Sequence, residues 1–156
     1  MSEIDAVSRI DHFDRKILQC LSKNGRMSVT ALAARIGLSK TPCQARIKRL
    51  TETGVILGYR AVLSPSKLGR DHVAFVEVRM TETTEGALQA FNRAVSQIPE
   101  IEQCHMIAGA FDYLLKVRTT DVKDYRRVLG ETISTLPHVG STSTHISIEA
   151  VIDDAL

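Results

Sequence analysis

Apolar residues in the first third of the chain recur at helical spacing. Positions 13, 17, 18 and 21 form one stripe, positions 29, 32, 33 and 36 a second, and positions 43, 47 and 50 a third. Residues three or four apart share one face of an α-helix, so three short amphipathic helices are expected. Asp11 or Asp14 can cap the first helix, and Ser28 and Ser39 can cap the next two. Gly37 and Leu38 alone separate the second helix from Ser39, which predicts a helix-turn-helix.

The pattern changes after Gly54. Residues 55–63 are rich in β-formers around Gly58, which predicts two short strands, the wing of a winged helix. Residues 64–71 have the composition of turns and predict a linker. The expected organisation is a tail over residues 1–10, a first domain over 11–63, the linker, and a second domain over 72–156.

Alternating and helical patterns follow each other in the second half. Strands are expected over His72–Met80, Ile101–Ala108, Tyr113–Thr119 and His145–Ile152, and helices over Thr84–Ile98 and from Asp121 to Leu136. This β-α-β-β-α-β order is that of the ferredoxin-like fold, so the whole chain is assigned to the α+β class. Its helices cover one sheet face only, and a second copy of the chain is the simplest cover for the other. A homodimer is therefore expected.

Charge is divided unevenly along the chain. Residues 1–70 carry 13 Lys and Arg against 5 Asp and Glu, a net charge of +8, whereas residues 71–156 carry 7 against 13, a net charge of −6. A basic half joined to an acidic half indicates that the first half meets a polyanion.

The third helix offers the side chains for such a contact. In a helix-turn-helix the second helix of the pair enters the major groove of double-stranded DNA, where Lys and Arg bind phosphates and Gln and Arg read bases. The alternative is a solvated basic helix face. The candidate DNA-binding residues, most of them expected on an exposed face of this helix and the last on the wing, are Ser39, Lys40, Thr41, Gln44, Arg46, Lys48, Arg49 and Arg60.

Other chemistries are set aside. The three cysteines form no C-x-x-C pair, which argues against a disulfide scaffold and suits a reducing cytoplasm. No apolar run is long enough to predict a membrane segment. The sequence contains no G-x-S-x-G, H-E-x-x-H or P-loop motif, so we expect no enzyme, cofactor or metal site.

Many segments, in order, resemble the Lrp/AsnC family of transcriptional regulators from about Asp11 to Val151. The segments that carry the resemblance are Asp14-Arg15-Lys16-Ile17-Leu18, Gly37-Leu38-Ser39-Lys40-Thr41-Pro42-Cys43, Arg46-Ile47-Lys48-Arg49-Leu50, Gly54-Val55-Ile56, Glu102-Gln103-Cys104-His105, Gly109-Ala110-Phe111-Asp112-Tyr113-Leu114-Leu115-Lys116 and Tyr125-Arg126. Within the family, the stretches SKTPCQARIKRL and QCHMIAGAFDYLLKVRT look like the activators of proline dehydrogenase genes. That narrower likeness implies proline as the effector.

The resemblance implies a DNA-binding N-terminal domain and a C-terminal domain that dimerises through its sheet and often assembles to an octamer. It also implies that an amino acid binds the C-terminal domain near subunit contacts. By position, the candidate effector-binding residues are Met106, Gly109, Ala110, Asp112, Val122, Thr144, His145 and Ile146. Ala110 stands where relatives often carry Asp or Asn, so the effector cannot be copied from better-known members.

Elementary chemistry fits an amino acid at these residues. Asp112 can pair with the ammonium group, the backbone N–H groups of Gly109 and Ala110 can bind the carboxylate, and Met106, Val122 and Ile146 can form an apolar wall. The alternatives are that Asp112 only bonds backbone in its turn, and that Met106 and Ile146 belong to the core.

The sequence thus predicts an amino-acid-responsive, sequence-specific DNA-binding regulator. Two alternatives stay open: an architectural DNA-binding protein with little effector control, and an amino-acid-binding enzyme or regulatory subunit of an enzyme. The first shares every DNA-binding residue above, and the second predicts no affinity for DNA.

Overall fold

Three helices form the N-terminal part of the chain. The computed structural model describes residues 10–153, so the predicted tail, residues 1–10, lies outside the described residues except for Ile10. The helices are α1 (His12–Lys23), α2 (Val29–Ile36) and α3 (Lys40–Glu52). All three predicted helices are confirmed.

Side chains at the helix starts explain why the helices begin where they do. The Asp11 carboxylate accepts the backbone N–H of Asp14, and the Asp14 carboxylate accepts the backbone N–H of Asp11. The Ser28 hydroxyl accepts the N–H of Ala31. Each cap satisfies a donor that the first helical turn leaves unpaired and stabilises by roughly 1 kcal/mol. Gly37 ends α2 at φ 77°, in the left-handed region.

The apolar stripes of the three helices meet in one core. Its buried members are Ile17, Leu32, Ala33, Ile36, Cys43, Leu50 and Ile56. Burial raises the pKa of the Cys43 thiol, so this side chain packs as a small apolar group.

The two short strands predicted over residues 55–63 are not observed. Residues 57–63 belong to no helix or strand of the described chain. Leu57 and Val62 are 95% and 94% exposed, so their side chains do not add the apolar packing that a short hairpin needs. Only the β-propensity of the residues favoured strands, and that propensity depends on packing.

The described chain divides after Val62 into two units, residues 10–62 and residues 63–153. The segment predicted as a linker contains one 3₁₀ turn, Ser66–Leu68, which Gly69 ends at φ 65°. Among the described residues, no helix has the length and apolarity needed to cross a membrane.

The second unit is a four-stranded antiparallel sheet with two helices. In chain order its elements are β1 (His72–Met80), α4 (Glu85–Val95), β2 (Ile101–Met106), β3 (Tyr113–Thr119), α5 (Val122–Glu131), a 3₁₀ turn (Ile133–Thr135) and β4 (Val139–Ile146). The strand order across the sheet is β2-β3-β1-β4. The predicted β-α-β-β-α-β order and the α+β class are confirmed.

One face of the sheet packs on both helices. Val76 of β1 pairs with Leu115 of β3, and alternate residues of both strands turn to the same face. The buried core there consists of Ala74, Val76, Val78, Phe91, Val95, Tyr113, Leu115, Val117, Tyr125, Val128 and Ile133.

The opposite face carries ion pairs. Arg118 donates to Glu102 at 2.5 Å and to Asp153 at 2.9 Å, and Lys116 pairs with the same two carboxylates. Burial acts to lower the pKa of Arg118, but the two carboxylates outweigh it and raise that pKa. We call Glu102, Lys116, Arg118 and Asp153 the sheet-face ion cluster.

The last strand lies earlier than predicted. The alternation of isoleucines predicted a strand over His145–Ile152, but Val139–Ile146 pairs with β1 instead. Ile148 and Ile152 are 101% and 82% exposed. β4 is rich in Ser and Thr because an edge strand needs little apolar alternation, and β-branched threonines suit a strand.

Three other elements are shorter than predicted. α4 ends at Val95 rather than Ile98, and β2 ends at Met106 rather than Ala108. α5 ends at Glu131, and the chain continues to Leu136 through the 3₁₀ turn.

Candidate nucleic-acid interface and effector site

A three-residue turn connects α2 to α3. The backbone N–H of Leu38 donates to the Ala33 carbonyl at 2.9 Å, and Ser39 is the first residue outside α3. Pro42 lies in the first turn of α3, where its missing N–H leaves no helical bond unmade. The first turn of α3 is exposed over residues 40–42, as a helix that enters a groove requires.

Four predicted DNA-binding residues share one exposed face of α3. Lys40, Thr41, Gln44 and Lys48 are all exposed, and a rotation of about 100° per residue places them within about 100° of the helix circumference. Lys48 also pairs with Glu52 at 3.7 Å, but both side chains are largely in solvent, so the pair is weak. Ammonium, amide and hydroxyl groups on one face are suited to phosphate oxygens and base edges.

Ser39 and Arg60 flank this face along the chain. Ser39 is exposed, and its hydroxyl makes no capping bond to α3. Arg60 is exposed in the irregular segment over residues 57–63. The structure thus puts Ser39 directly before α3 and Arg60 on a separate segment.

Arg46 and Arg49 lie on another side of α3, where they bind carboxylates of α1. Arg46 Nη1 donates to Asp11 at 2.6 Å and to Asp14 at 2.9 Å, and Arg49 Nη2 donates to Asp14 at 2.5 Å. The Arg46 guanidinium lies 5.4 Å from the centre of the Phe13 ring, within range of a cation–π contact. We call Asp11, Asp14, Arg46 and Arg49 the α1–α3 ion cluster. The expected full exposure of Arg46 is not observed, because only 26% of its side chain is exposed.

The surroundings of the two aspartates keep them ionised. Burial acts to raise the pKa of Asp14, but hydrogen bonds from Arg49, the Asp11 backbone and Arg46 together lower it. The backbone N–H of Asp14 is the main cause that lowers the pKa of Asp11 to about 2, with help from Arg46. The carboxylates in turn raise the pKa of Arg46. The cluster is therefore fully charged at neutral pH.

The sequence indicates a role for Asp14 besides helix capping. Asp14 precedes Ile17, Leu18 and Leu21 by three, four and seven residues, so it shares their apolar stripe. A carboxylate on a buried stripe needs a cation beside it. Cations on a neighbouring helix were therefore to be expected, although spacing alone does not say which ones.

Four predicted effector residues lie around the turn between β2 and β3. Met106 ends β2, Gly109 and Ala110 are exposed in the turn, and Asp112 precedes β3. One carboxylate oxygen of Asp112 accepts the backbone N–H of Met80 at 2.7 Å. Asp112 therefore bonds the backbone of β1, and not that of its own turn as one alternative held, and this bond ties the turn to β1.

A cleft of about 460 Å³ opens beside β2. Asn92 of α4, Cys104, Met106 and Tyr113 are among its lining residues. Burial raises the pKa of both the Cys104 thiol and the Tyr113 hydroxyl, so neither is charged at neutral pH. Of the eight predicted effector residues, Met106 alone lines this cleft.

The other four predicted effector residues lie at the start of α5 and the end of β4. Val122 and Ile146 are 56% and 51% exposed, so neither is a core residue. The Thr144 hydroxyl is 2.6 Å from the Tyr125 hydroxyl, and His145 Nε2 is 3.2 Å from a carboxylate oxygen of Glu77.

One chain does not bring these eight residues together. β2 and β4 are the two edge strands. Met106 pairs with Tyr113, which pairs with Val78, whereas Ile146 pairs with Ala74, four residues away along β1. With about 4.8 Å between strands and about 3.3 Å per residue, Met106 and Ile146 are roughly 20 Å apart. We call Met106, Gly109, Ala110 and Asp112 the turn group, and Val122, Thr144, His145 and Ile146 the α5–β4 group. The two groups occupy opposite corners of the sheet.

Both units match known protein families. A winged helix-turn-helix DNA-binding model matches residues 10–56, and the Lrp/AsnC ligand binding domain matches residues 73–156. A proline dehydrogenase transcriptional activator from Rhizobium radiobacter is 63% identical over 142 residues, 91% of each chain. One from Rhodobacter capsulatus is 55% identical over 144 residues, 92% of this chain and 94% of its own. A crystal structure of a transcriptional regulator from Neisseria meningitidis in complex with L-Met has a TM-score of 0.87 and 30% identity, with 92% of each chain covered.

These similarities agree with the helix-turn-helix and the four-stranded sheet. The ligand-binding match alone spans more than half of the chain, and the two activators match it nearly end to end. The relatives are transcriptional regulators and not enzymes. The chain belongs to the Lrp/AsnC family of transcriptional regulators.

Proposed function

We propose that this regulator responds to proline and controls proline catabolism. The observation that carries the proposal is the 63% and 55% identity to two proline dehydrogenase transcriptional activators over more than nine-tenths of the chain. The proposed site of action is the cytoplasm, since Cys20, Cys43 and Cys104 are free thiols that suit a reducing compartment.

Double-stranded DNA is the proposed partner of the exposed α3 face. Lys40 and Lys48 can neutralise phosphates, and Gln44 has the paired donor and acceptor that recognise adenine. Ser39, Thr41 and Arg60 are proposed as further phosphate contacts. The support is the exposure of Ser39 and of the α3 residues at one end and on one face of a helix that belongs to a helix-turn-helix, and the exposure of Arg60 on the separate segment that follows.

The proposed effector site is composed from two copies of the chain. The turn group offers exposed backbone N–H groups at Gly109 and Ala110 and the second oxygen of Asp112, which suit the two charged ends of an amino acid. The α5–β4 group offers the exposed apolar side chains of Val122 and Ile146. Because one chain holds the groups roughly 20 Å apart, contact between chains is the way to join them.

A homodimer that assembles further, to an octamer, is the proposed quaternary state. Both helices pack on one face of the sheet, which leaves the face of Phe75 and the sheet-face ion cluster for a second copy. Phe75 is 36% exposed there. Sedimentation of the full chain tests this proposal, and a monomer at micromolar concentration would contradict it.

The effector proposal is tested by thermal unfolding of the full chain with each of the twenty amino acids. A ligand that binds the folded form raises the melting temperature, so proline is expected to give the largest rise. A larger rise with another amino acid would replace proline as the effector, and no rise with any of them would overturn amino-acid control.

The DNA proposal is tested by binding to the duplex upstream of a proline dehydrogenase gene and to random duplex of equal length, at ~0.15 M salt. Specific regulators prefer their sites by ~10³-fold or more. Equal affinity for the two duplexes would favour the architectural alternative.

A further inference from the structure

The α1–α3 ion cluster contains a buried carboxylate on the side of α3 that faces away from the proposed DNA surface. The Asp14 side chain has no exposure, and three donors surround it: the Asp11 backbone N–H, Arg46 and Arg49. Removing a carboxylate from water is unfavourable unless such donors replace the water. The two arginines are therefore held at a defined place relative to α1.

Helical periodicity separates these arginines from the DNA face. At about 100° per residue, Arg46 lies close to 180° from the centre of the face formed by Lys40, Thr41, Gln44 and Lys48, and Arg49 lies about 130° from that centre, outside the face. Arg46 is further held by Asp11 and by the Phe13 ring. A side chain so held cannot also reach a duplex that lies against the opposite face.

Few apolar side chains define the rotation of α3, and Ile47 packs against the core only in part. The helix buries only Cys43 and Leu50 fully, and apolar contacts have little directional preference. Charge-assisted hydrogen bonds are short and directional. With side-chain ends about 5–6 Å from the axis, a rotation of about 20° moves them by about 2 Å, which is enough to break a hydrogen bond to a base.

We propose that Asp14 is a positioning residue for DNA recognition: through Arg46 and Arg49 it fixes the rotation of α3, and Arg46 itself contacts no DNA. The proposal rests on DNA binding by α3, but not on proline or on any effector. It assigns the basic residues of α3 two separate roles, in which Lys40 and Lys48 bind the polyanion and Arg46 and Arg49 orient the helix.

The test measures DNA affinity against salt concentration for full-length variants. The probes are a duplex that the wild-type chain selects from a random library and an unselected duplex of equal length. Arg46→Gln and Lys48→Gln form a matched pair, because each removes one positive charge from the same helix. Loss of a phosphate contact flattens the salt dependence of log K by about 0.9. We expect that change for Lys48→Gln, and for Arg46→Gln an affinity loss of about tenfold with an unchanged slope.

Asp14→Asn gives the sharper result. Removal of a negative charge near DNA should tighten binding if net charge alone mattered. We expect the opposite, an affinity for the selected duplex about tenfold weaker and a smaller preference over the unselected duplex. A role confined to folding would leave the affinity and preference of the folded protein unchanged. Circular dichroism well below the melting transition therefore confirms that each variant is folded.

Two outcomes overturn the proposal. One is a flattened salt slope for Arg46→Gln equal to that of Lys48→Gln, which would make Arg46 a phosphate contact. The other is unchanged or tighter binding by folded Asp14→Asn.

If Asp14→Asn does not fold, Arg49→Lys replaces it, since it keeps the charge and changes the hydrogen-bond geometry. Retained affinity and preference in that variant would equally contradict the proposal. If the wild-type chain bound no duplex at all, the result would instead contradict the DNA-binding assignment.

Discussion

Each unit of the molecule contains an ion cluster, and the two clusters differ in what surrounds them. The α1–α3 ion cluster lies between two helices of the N-terminal unit, with Asp14 fully buried. The sheet-face ion cluster lies on β2, β3 and the segment after β4, where Glu102 and Asp153 are 35% and 38% exposed. The first cluster therefore replaces apolar packing in a small core, whereas the second is added to a sheet whose large core lies on its other face.

The difference shows that net charge is a poor guide to which charges are available for binding. The N-terminal unit is basic, yet Arg46 and Arg49 are engaged by acids of the same unit. In the second unit, Lys116 and Arg118 are engaged by part of its acidic excess. Four predictions test this contrast.

The largest effect is expected from the core of the second unit. Leu115→Ala should lower the free energy of unfolding of that unit by about 3 to 4 kcal/mol, because it removes a fully buried side chain and leaves a cavity. Its neighbour Lys116→Ala, on the sheet-face ion cluster, is the control and should cost less than half as much, because Glu102 and Asp153 are partly exposed and keep Arg118 as their partner. Urea unfolding followed by circular dichroism measures both. Equal losses of unfolding free energy would mean that the sheet-face ion cluster stabilises the unit as much as the Leu115 side chain does.

Asp14→Ala should lower the free energy of unfolding of the N-terminal unit by about 2 to 3 kcal/mol. The loss stays below that of the core substitution because Arg46 and Arg49 are partly exposed and can recover water. Amide hydrogen exchange in α1 and α3 is the measurement. Glu52→Ala at the end of α3, which breaks the exposed pair with Lys48, should change the free energy of exchange by less than about 0.5 kcal/mol. If the two variants behave alike, the α1–α3 ion cluster does not support the unit.

Asp112 separates structural from ligand-binding charge at the turn between β2 and β3. Asp112→Ala should cost about 1 kcal/mol, since the Met80 N–H loses its acceptor. Asp112→Asn keeps an acceptor oxygen and should melt close to wild type, but it should lose the rise in melting temperature that the proposal expects with proline. A full rise with Asp112→Asn would remove this carboxylate from the effector site.

The smallest effect concerns acid. The pKa of Asp11 is lowered to about 2 from its ordinary value of 3.8, so its ionised form stabilises the folded chain. That stabilisation is complete above pH 3.8 and disappears as the pH falls through about 2. Urea midpoints of wild type and Asp11→Asn should therefore differ at pH 5 and converge near pH 2. A difference between the two urea midpoints that stays constant from pH 5 to pH 2 would contradict the lowered pKa of Asp11.

Local signals predicted most of the fold. The helix caps at Asp11 and Ser28, the glycine at 37 and the alternation along β1 depend on neighbours in sequence, and all of them are observed. The errors concern residues whose structure depends on distant partners. Residues 57–63 have the composition of strands, but their large apolar side chains are exposed. β4 was displaced because its Ser- and Thr-rich residues pair with β1 without an apolar pattern.

The candidate sites were also predicted only where they depend on residues close in sequence. Periodicity places Lys40, Thr41, Gln44 and Lys48 on one exposed face of α3, and the structure agrees. Periodicity could not show that Arg46 meets Asp11 and Asp14, which lie more than thirty residues earlier in the chain. The two groups of effector residues follow one another in sequence order, and only the strand order of the sheet reveals the distance between them.

An effector site composed from two copies, as proposed, would have a consequence for sensitivity in the cell. A pocket whose halves belong to different molecules exists only while those molecules are associated, so its apparent affinity for a metabolite rises with the abundance of the protein. A cell that makes few copies of the protein would respond little to an effector concentration that a cell with many copies detects. Expression level would then tune the response threshold without any change of sequence.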